Sequence, residues 1–66
     1  MKLDVTKIEV LLARQDLTLS EWGIRAGLPK QYLSVVKNRG TCMPKTAQKL
    51  ADGLGVDVTE IMETEA

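Results

Sequence analysis

The chain has 66 residues, enough for one small domain with one hydrophobic core. Aromatic residues make up only 3 %, so that core must be mostly aliphatic. The sequence has no histidine, one cysteine and no glycine-rich phosphate loop, so it lacks the usual acid-base, nucleophilic and metal-binding sets. We therefore predict that the protein is not an enzyme and requires no cofactor, metal or small-molecule ligand.

Nine basic residues balance nine acidic residues, which at first argues against a nucleic-acid binder. However, residues 22–51, here called the cationic segment, contain six Lys or Arg and no acidic residue. The remaining residues hold three basic and nine acidic side chains, a net charge of −6. Such asymmetry can orient a protein on a polyanion, although ordinary solubilising charges are the plain alternative. No apolar run is long enough to span a membrane and the start of the chain lacks the pattern of a secretion signal, so we predict a cytoplasmic protein without membrane contact.

Two helices are predicted in the first half of the chain. Apolar residues recur at three- and four-residue steps from Val5 to Leu12, which predicts a first helix over about residues 5–15. Thr18 and Glu21 have the spacing of a capping box, so a second helix is expected to begin at Leu19 and to end at Gly27.

Three further helices complete the predicted compact five-helix fold, with a core over about residues 4–62 and a frayed tail over 63–66. The third helix, about 30–38, has Pro29 at its first position and faces inward with Leu33 and Val36. The fourth, about 44–53, begins at a proline and stops before a glycine. A second capping box, Asp57 with Glu60, predicts a short fifth helix.

Two short helices joined by a glycine-containing turn are typical of a DNA-reading helix-turn-helix, whose second helix enters the major groove. On the third helix, Lys30 is suited to guanine, Gln31 to adenine and Val35 to the thymine methyl group. We therefore expect the exposed side of residues 30–37 to form a positively charged ridge that enters the groove. An ordinary solvated helix face is the alternative interpretation of the same residues.

From Leu17 to Ile61 the chain resembles the Cro/cI-type (XRE-like) helix-turn-helix family of repressors. The resemblance runs through Leu17-Thr18, Glu21, Ala26-Gly27, Tyr32-Leu33-Ser34, Thr46, Lys49-Leu50-Ala51, Leu54-Gly55-Val56 and Glu60-Ile61. It implies an all-α, lambda-repressor-like domain that acts as a homodimer on a palindromic operator in double-stranded DNA. By position, the implied base-reading residues are Lys30, Gln31, Ser34 and Val35. The implied phosphate contacts are Thr18, Tyr32, Lys37, Asn38, Arg39 and Thr41.

The chain departs from the family pattern at four positions. Leu19 stands where a glutamine often contacts the DNA backbone. The small residue usual in the middle of the second helix is here a glycine, Gly23, which lowers helix stability relative to alanine. Pro29 replaces the polar cap of the third helix. Lys37 occupies the place of a glutamate that pairs with an arginine of the first helix, here Arg14, so we expect Lys37 to face DNA instead.

Several residues leave alternatives open. Trp22 is expected in the core and Cys42 as a half-buried loop residue, whereas Tyr32 suits either a phosphate contact or packing. The C-terminal apolar residues offer either a dimer contact or packing against the first helix, and they are Val56, Val58, Ile61 and Met62. For the whole chain, the alternative function is a protein-interaction module on the same fold that modulates another regulator without specific DNA binding.

Overall fold

The structure is a computed structural model that describes residues 1–63. It contains four α-helices and one short 3-10 turn: α1 Val5–Gln15, α2 Leu19–Ala26, α3 Lys30–Arg39, α4 Pro44–Leu54 and the turn Val58–Glu60. The prediction of an all-α protein is confirmed, but the prediction of a fifth α-helix is wrong. Within the described residues, no helix has the length and apolar character needed to cross a membrane.

The starts of α1 and α2 follow from local side-chain capping. Asp4 accepts a hydrogen bond from the backbone N–H of Lys7, which satisfies one of the unpaired donors at the start of α1. At α2 the predicted capping box is present, because Thr18 accepts from the Glu21 N–H and the Glu21 carboxylate accepts from the Thr18 N–H, both at 3.1 Å. The α2 helix ends at Gly27, whose φ of 73° suits glycine.

The starts of α3 and α4 are built differently. Pro29 lies one position before the helix, as its N-cap, and not at the first helical position as predicted. Its ψ of 147° is extended, so the chain turns into the helix only at Lys30. Pro44 does occupy the first helical position of α4, and Met43 is the N-cap. Neither Pro29 nor Met43 makes a side-chain capping hydrogen bond with any described residue.

A mixed set of aliphatic residues and one tryptophan forms the core. Trp22 is 1 % exposed, as expected, and its indole N–H donates to the carbonyl of Leu50 at 3.0 Å, which ties α2 to α4. The buried core residues are Leu3, Ile8, Leu12, Trp22, Ala26, Leu33, Val36, Ala47, Leu50, Ala51, Leu54 and Ile61. The core therefore begins at Leu3, slightly before the predicted boundary.

Backbone pairing explains why no fifth α-helix forms. The Asp4 N–H donates to the carbonyl of Ile61 and the Glu63 N–H donates to the carbonyl of Lys2, so residues 61–63 pair antiparallel with residues 2–4. Asp57 accepts from the N–H and hydroxyl of Thr59 and not from Glu60, so the predicted second capping box is absent from the described chain. Glu63 is thus bonded, and the rest of the predicted frayed tail lies outside the described residues.

The C-terminal apolar residues are largely used in packing. Ile61 is fully buried, and Val56 and Val58 are partly buried against the core. The surface suggested for self-association is therefore mostly covered by the protein's own core.

Candidate nucleic-acid interface

The α3 helix has two sharply different sides. Leu33 is fully buried and Val36 is 5 % exposed, which fixes the inner side of the helix. With 3.6 residues per turn, the opposite side carries Gln31, Ser34, Val35 and Asn38, all of them exposed. We call these four residues the crest of α3. The crest carries two amides, one hydroxyl and one branched apolar side chain, and it has no formal charge.

Cations flank the crest instead of lying on it. Lys30 is exposed at the first position of α3 and Arg39 is exposed at its last. Gln31 and Asn38 are seven residues apart, so the crest is about 10 Å long. That length corresponds to about three base-pair steps of a duplex. The sequence predicted a positively charged ridge, whereas the structure has a neutral crest with positive charge at its ends.

The turn between α2 and α3 is held close by glycine. Gly23 is buried in α2, and a Cβ atom there would lie 2.7 Å from the carbonyl oxygen of Leu28 and 3.2 Å from Leu33. The side chain of any other residue would therefore push against the turn and against α3. This contact explains the glycine in mid-helix, where it otherwise lowers helix stability. It also fixes the position of the crest relative to α2.

The candidate phosphate contacts fall into separate groups. Tyr32, Arg39 and Thr41 line one shallow groove together with Val35 and Met43, between α3 and the segment before α4. The Tyr32 hydroxyl lies 3.3 Å from the Thr46 hydroxyl, so it already makes a contact between α3 and α4. Both alternatives considered for Tyr32 thus remain compatible with its position at 39 % exposure.

Lys37 and Thr18 lie away from this groove. The Lys37 ammonium is 3.3 Å from a carboxylate oxygen of Glu9 in α1, and its side chain is only 22 % exposed. An ion pair thus joins α1 and α3, but it uses Glu9 and not the position of Arg14. The sequence analysis did not consider this pair and expected Lys37 to face DNA instead. Thr18 is exposed, but the carboxylate of Glu21 is hydrogen-bonded to the same capping turn. That negative charge opposes phosphate binding there.

The N-terminal segment, residues 1–3, supports the loop that follows α3 through backbone hydrogen bonds. The Leu3 N–H donates to the carbonyl of Gly40 at 2.8 Å, and the Cys42 N–H donates to the carbonyl of Met1 at 3.0 Å. Leu3 itself is 4 % exposed and anchors this segment in the core. The loop carrying Thr41 is thereby held by backbone hydrogen bonds on one side. Sequence patterns gave no signal for this pairing, because its two segments lie far apart in the chain.

Two further features are the Cys42 thiol and the side chains that could bind a metal ion. Cys42 is half-buried, as expected, and burial raises the pKa of its thiol, which keeps it protonated near neutral pH. Among residues 1–63, no three Cys, Asp or Glu side chains lie close enough together to hold a metal ion.

Met43 is an exposed groove residue that the sequence analysis did not single out. It is 71 % exposed and lines the groove beside Arg39 and Val35. Its signal was present in the sequence, because a methionine directly before Pro44 occupies a position where capping normally favours Ser, Thr, Asp or Asn.

No family model, curated protein or solved structure matches this chain.

Proposed function

We propose that this protein binds double-stranded DNA sequence-specifically and regulates transcription, as a repressor, with α2, the 27–29 turn and α3 acting as a helix-turn-helix. The observation that carries the proposal is the crest of α3, exposed and uncharged, between Lys30 and Arg39 within a segment that lacks acidic residues. An α-helix fits the major groove, where amides, hydroxyls and methyl groups read base edges.

The crest supplies the chemistry for base reading. The Gln31 amide is suited to donate to N7 and accept from N6 of adenine, and Ser34 is suited to either purine. Val35 presents methyl groups to the same groove, and Lys30 at the start of the helix is suited to guanine. These four residues are the proposed base-reading set, and all four are exposed.

Phosphate contacts are proposed at the end of α3 and in the loop beyond it. Arg39 and Thr41 line the same groove, and Asn38 is exposed next to them. Arg39 offers a planar set of donors that matches phosphate oxygens. Of the remaining candidates, Lys37 is already paired with Glu9 and Thr18 lies beside Glu21, so we assign them smaller contributions.

A homodimer on a palindromic operator remains part of the proposal. One 66-residue domain offers few base contacts, and two copies reading half-sites about 34 Å apart would increase the affinity and specificity. The proposal also assigns the protein to the cytoplasm. Sedimentation at micromolar concentration, with and without DNA, measures the oligomeric state directly.

Selection of bound duplexes from a random pool tests the proposal. We expect enrichment of one sequence, followed by binding whose logarithmic affinity falls with the logarithm of salt concentration at a slope of about −0.9 per phosphate neutralised. Failure to enrich any sequence, together with affinity that does not depend on salt, would contradict the proposal.

A protein-interaction module is the second candidate. The exposed carboxylate of Glu21 at the start of α2 favours it, because a duplex would have to approach this charge. So does Ile24, which is 81 % exposed on the same helix. Stoichiometric capture of another regulator, combined with no affinity for any duplex, would favour this function over DNA binding.

A further inference from the structure

Met43 breaks a local rule of helix stability. As the N-cap of α4 it makes no capping hydrogen bond with the described residues, and its side chain is 71 % exposed. Polar side chains are strongly preferred at this position because they satisfy the first N–H groups of a helix. An exposed apolar residue here therefore favours neither the helix nor the core, and positions that break such rules are often functional.

The groove around Met43 continues the crest of α3. Val35 is 48 % exposed and belongs to the crest, and it lines the same groove as Met43. Arg39 lies in that groove as well, so an apolar surface adjoins a guanidinium group. This combination fits the wall of a DNA major groove, where apolar methyl groups lie beside phosphates.

We propose that Met43, together with Val35, is a specificity-determining residue that packs against the 5-methyl group of thymine. The inference rests on the proposed DNA-binding function. Thymine is the base that presents a methyl group in the major groove. The methionine side chain is flexible and polarisable, which suits it to an apolar contact made from outside the recognition helix. Recognition would thus extend from α3 to the start of α4.

Removing the methyl group alone provides the test. The duplex enriched from the random pool is prepared in its natural form and with every thymine replaced by deoxyuridine, which keeps all base-pairing groups. The unmodified protein should bind the deoxyuridine duplex about four-fold more weakly for each contacted methyl group. A contact with deoxyribose would leave the two affinities equal.

Two variants separate recognition from stability. Met43→Asn supplies a good capping side chain, so we expect it to raise the melting temperature while it weakens binding to the thymine duplex and reduces its preference over deoxyuridine. A structural role would change stability and binding in the same direction. Val10→Asn is the matched control, because Val10 is an exposed apolar residue of α1 that does not line the groove. We expect this control to keep the full thymine preference.

Three results would overturn the role of Met43. They are equal affinity of the unmodified protein for both duplexes, an unchanged preference in Met43→Asn, and an enriched sequence without thymine. A pool with no enriched sequence would instead contradict DNA binding itself, and the inference would fall with it.

Discussion

The helix starts inside the cationic segment differ from those outside it. Of the five helical N-termini in residues 1–63, three are capped by side chains, at Asp4, Thr18 and Asp57, all outside the cationic segment. The other two belong to α3 and α4, which have no side-chain cap and no acidic residue in the first turn. Each of these carries a lysine there, Lys30 or Lys45, although positive charge near a helix N-terminus is unfavourable. The first turn of α1 also has a lysine, Lys7, but Asp4 caps that helix.

This difference separates residues that stabilise the fold from residues available for binding. Where a side-chain cap is present, at the starts of α1 and α2, local sequence rules explain where the helix begins. At the starts of α3 and α4 no side chain accepts from the first N–H groups, and these groups together with the nearby lysines give a positive potential. That potential suits a polyanion, so the cationic segment gives up some local stability at the surface we propose for DNA.

The largest expected effect lies in the core and leaves binding unchanged. Trp22→Phe removes the indole donor to the carbonyl of Leu50 and leaves a small cavity. We expect the free energy of unfolding to fall by about 2–3 kcal/mol, measured by urea denaturation. The DNA affinity of the folded fraction should stay the same. A loss of DNA affinity without a loss of stability would contradict the assignment of Trp22 to the stability of the fold alone.

Gly23→Ala is expected to affect stability and binding together. The new Cβ atom would meet the carbonyl oxygen of Leu28, so the turn and α3 must shift, at a cost of about 1–3 kcal/mol. Because the crest moves with α3, we also expect weaker DNA binding. Ser20→Ala, an exposed position of the same helix, serves as the control. Unchanged binding in Gly23→Ala would show that the crest position is not critical.

Thr18→Ala tests a side-chain cap outside the cationic segment. Loss of the hydroxyl acceptor for the Glu21 N–H should lower stability by about 1 kcal/mol. We expect little change in DNA affinity, since Glu21 opposes a phosphate at this turn. Thr18→Ser should restore the stability. A marked loss of affinity in Thr18→Ala alone would restore Thr18 as a phosphate contact.

Arg39→Gln and Lys37→Gln test whether residues of the cationic segment affect DNA binding more than they affect stability. Arg39→Gln should weaken DNA binding several-fold and reduce the salt slope by about 1, while the melting temperature hardly changes. Lys37→Gln should have a smaller effect on binding, because its ammonium is paired with Glu9. Titrations at several salt concentrations measure both effects. Equal slopes for the two variants would contradict the role given to that ion pair.

The smallest expected effect is the pH dependence of Asp57. Hydrogen bonds from the Thr59 hydroxyl and N–H lower the pKa of this exposed carboxyl group. A carboxyl whose pKa is lowered by folding stabilises the native state above its unfolded pKa, and this stabilisation is lost as the pH falls through the lowered pKa. Melting curves of the unmodified protein and of Asp57→Asn should therefore differ by a constant amount near neutral pH and by a changing amount in acid. A difference in melting temperature that does not change with pH would show that the Asp57 carboxylate does not stabilise the turn Val58–Glu60.

Local patterns predicted most of the fold and part of the site. The bounds of α1, the capping box at Thr18, the burial of Trp22 and the inner side of α3 all follow from spacing within one or two helical turns. The exposed base-reading candidates followed from the same periodicity, since Leu33 and Val36 define the opposite side.

Contacts between distant segments escaped sequence reasoning. The charges of Lys37 and Glu9 are visible in the sequence, but their pairing depends on how α1 and α3 pack. The fifth helix was predicted from a capping box at Asp57, but Asp57 caps only the short turn Val58–Glu60, and residues 61–63 pair with residues 2–4. Nothing local to either segment indicates that pairing.

Amide chemical shifts recorded while the enriched duplex is added test the central claim most directly. DNA binding through the crest predicts that the largest shifts occur from Lys30 to Lys45, while α1 and the turn Val58–Glu60 change little. If the largest shifts instead fall on α1 or on that turn, with the crest unaffected, α3 is not the surface that reads DNA.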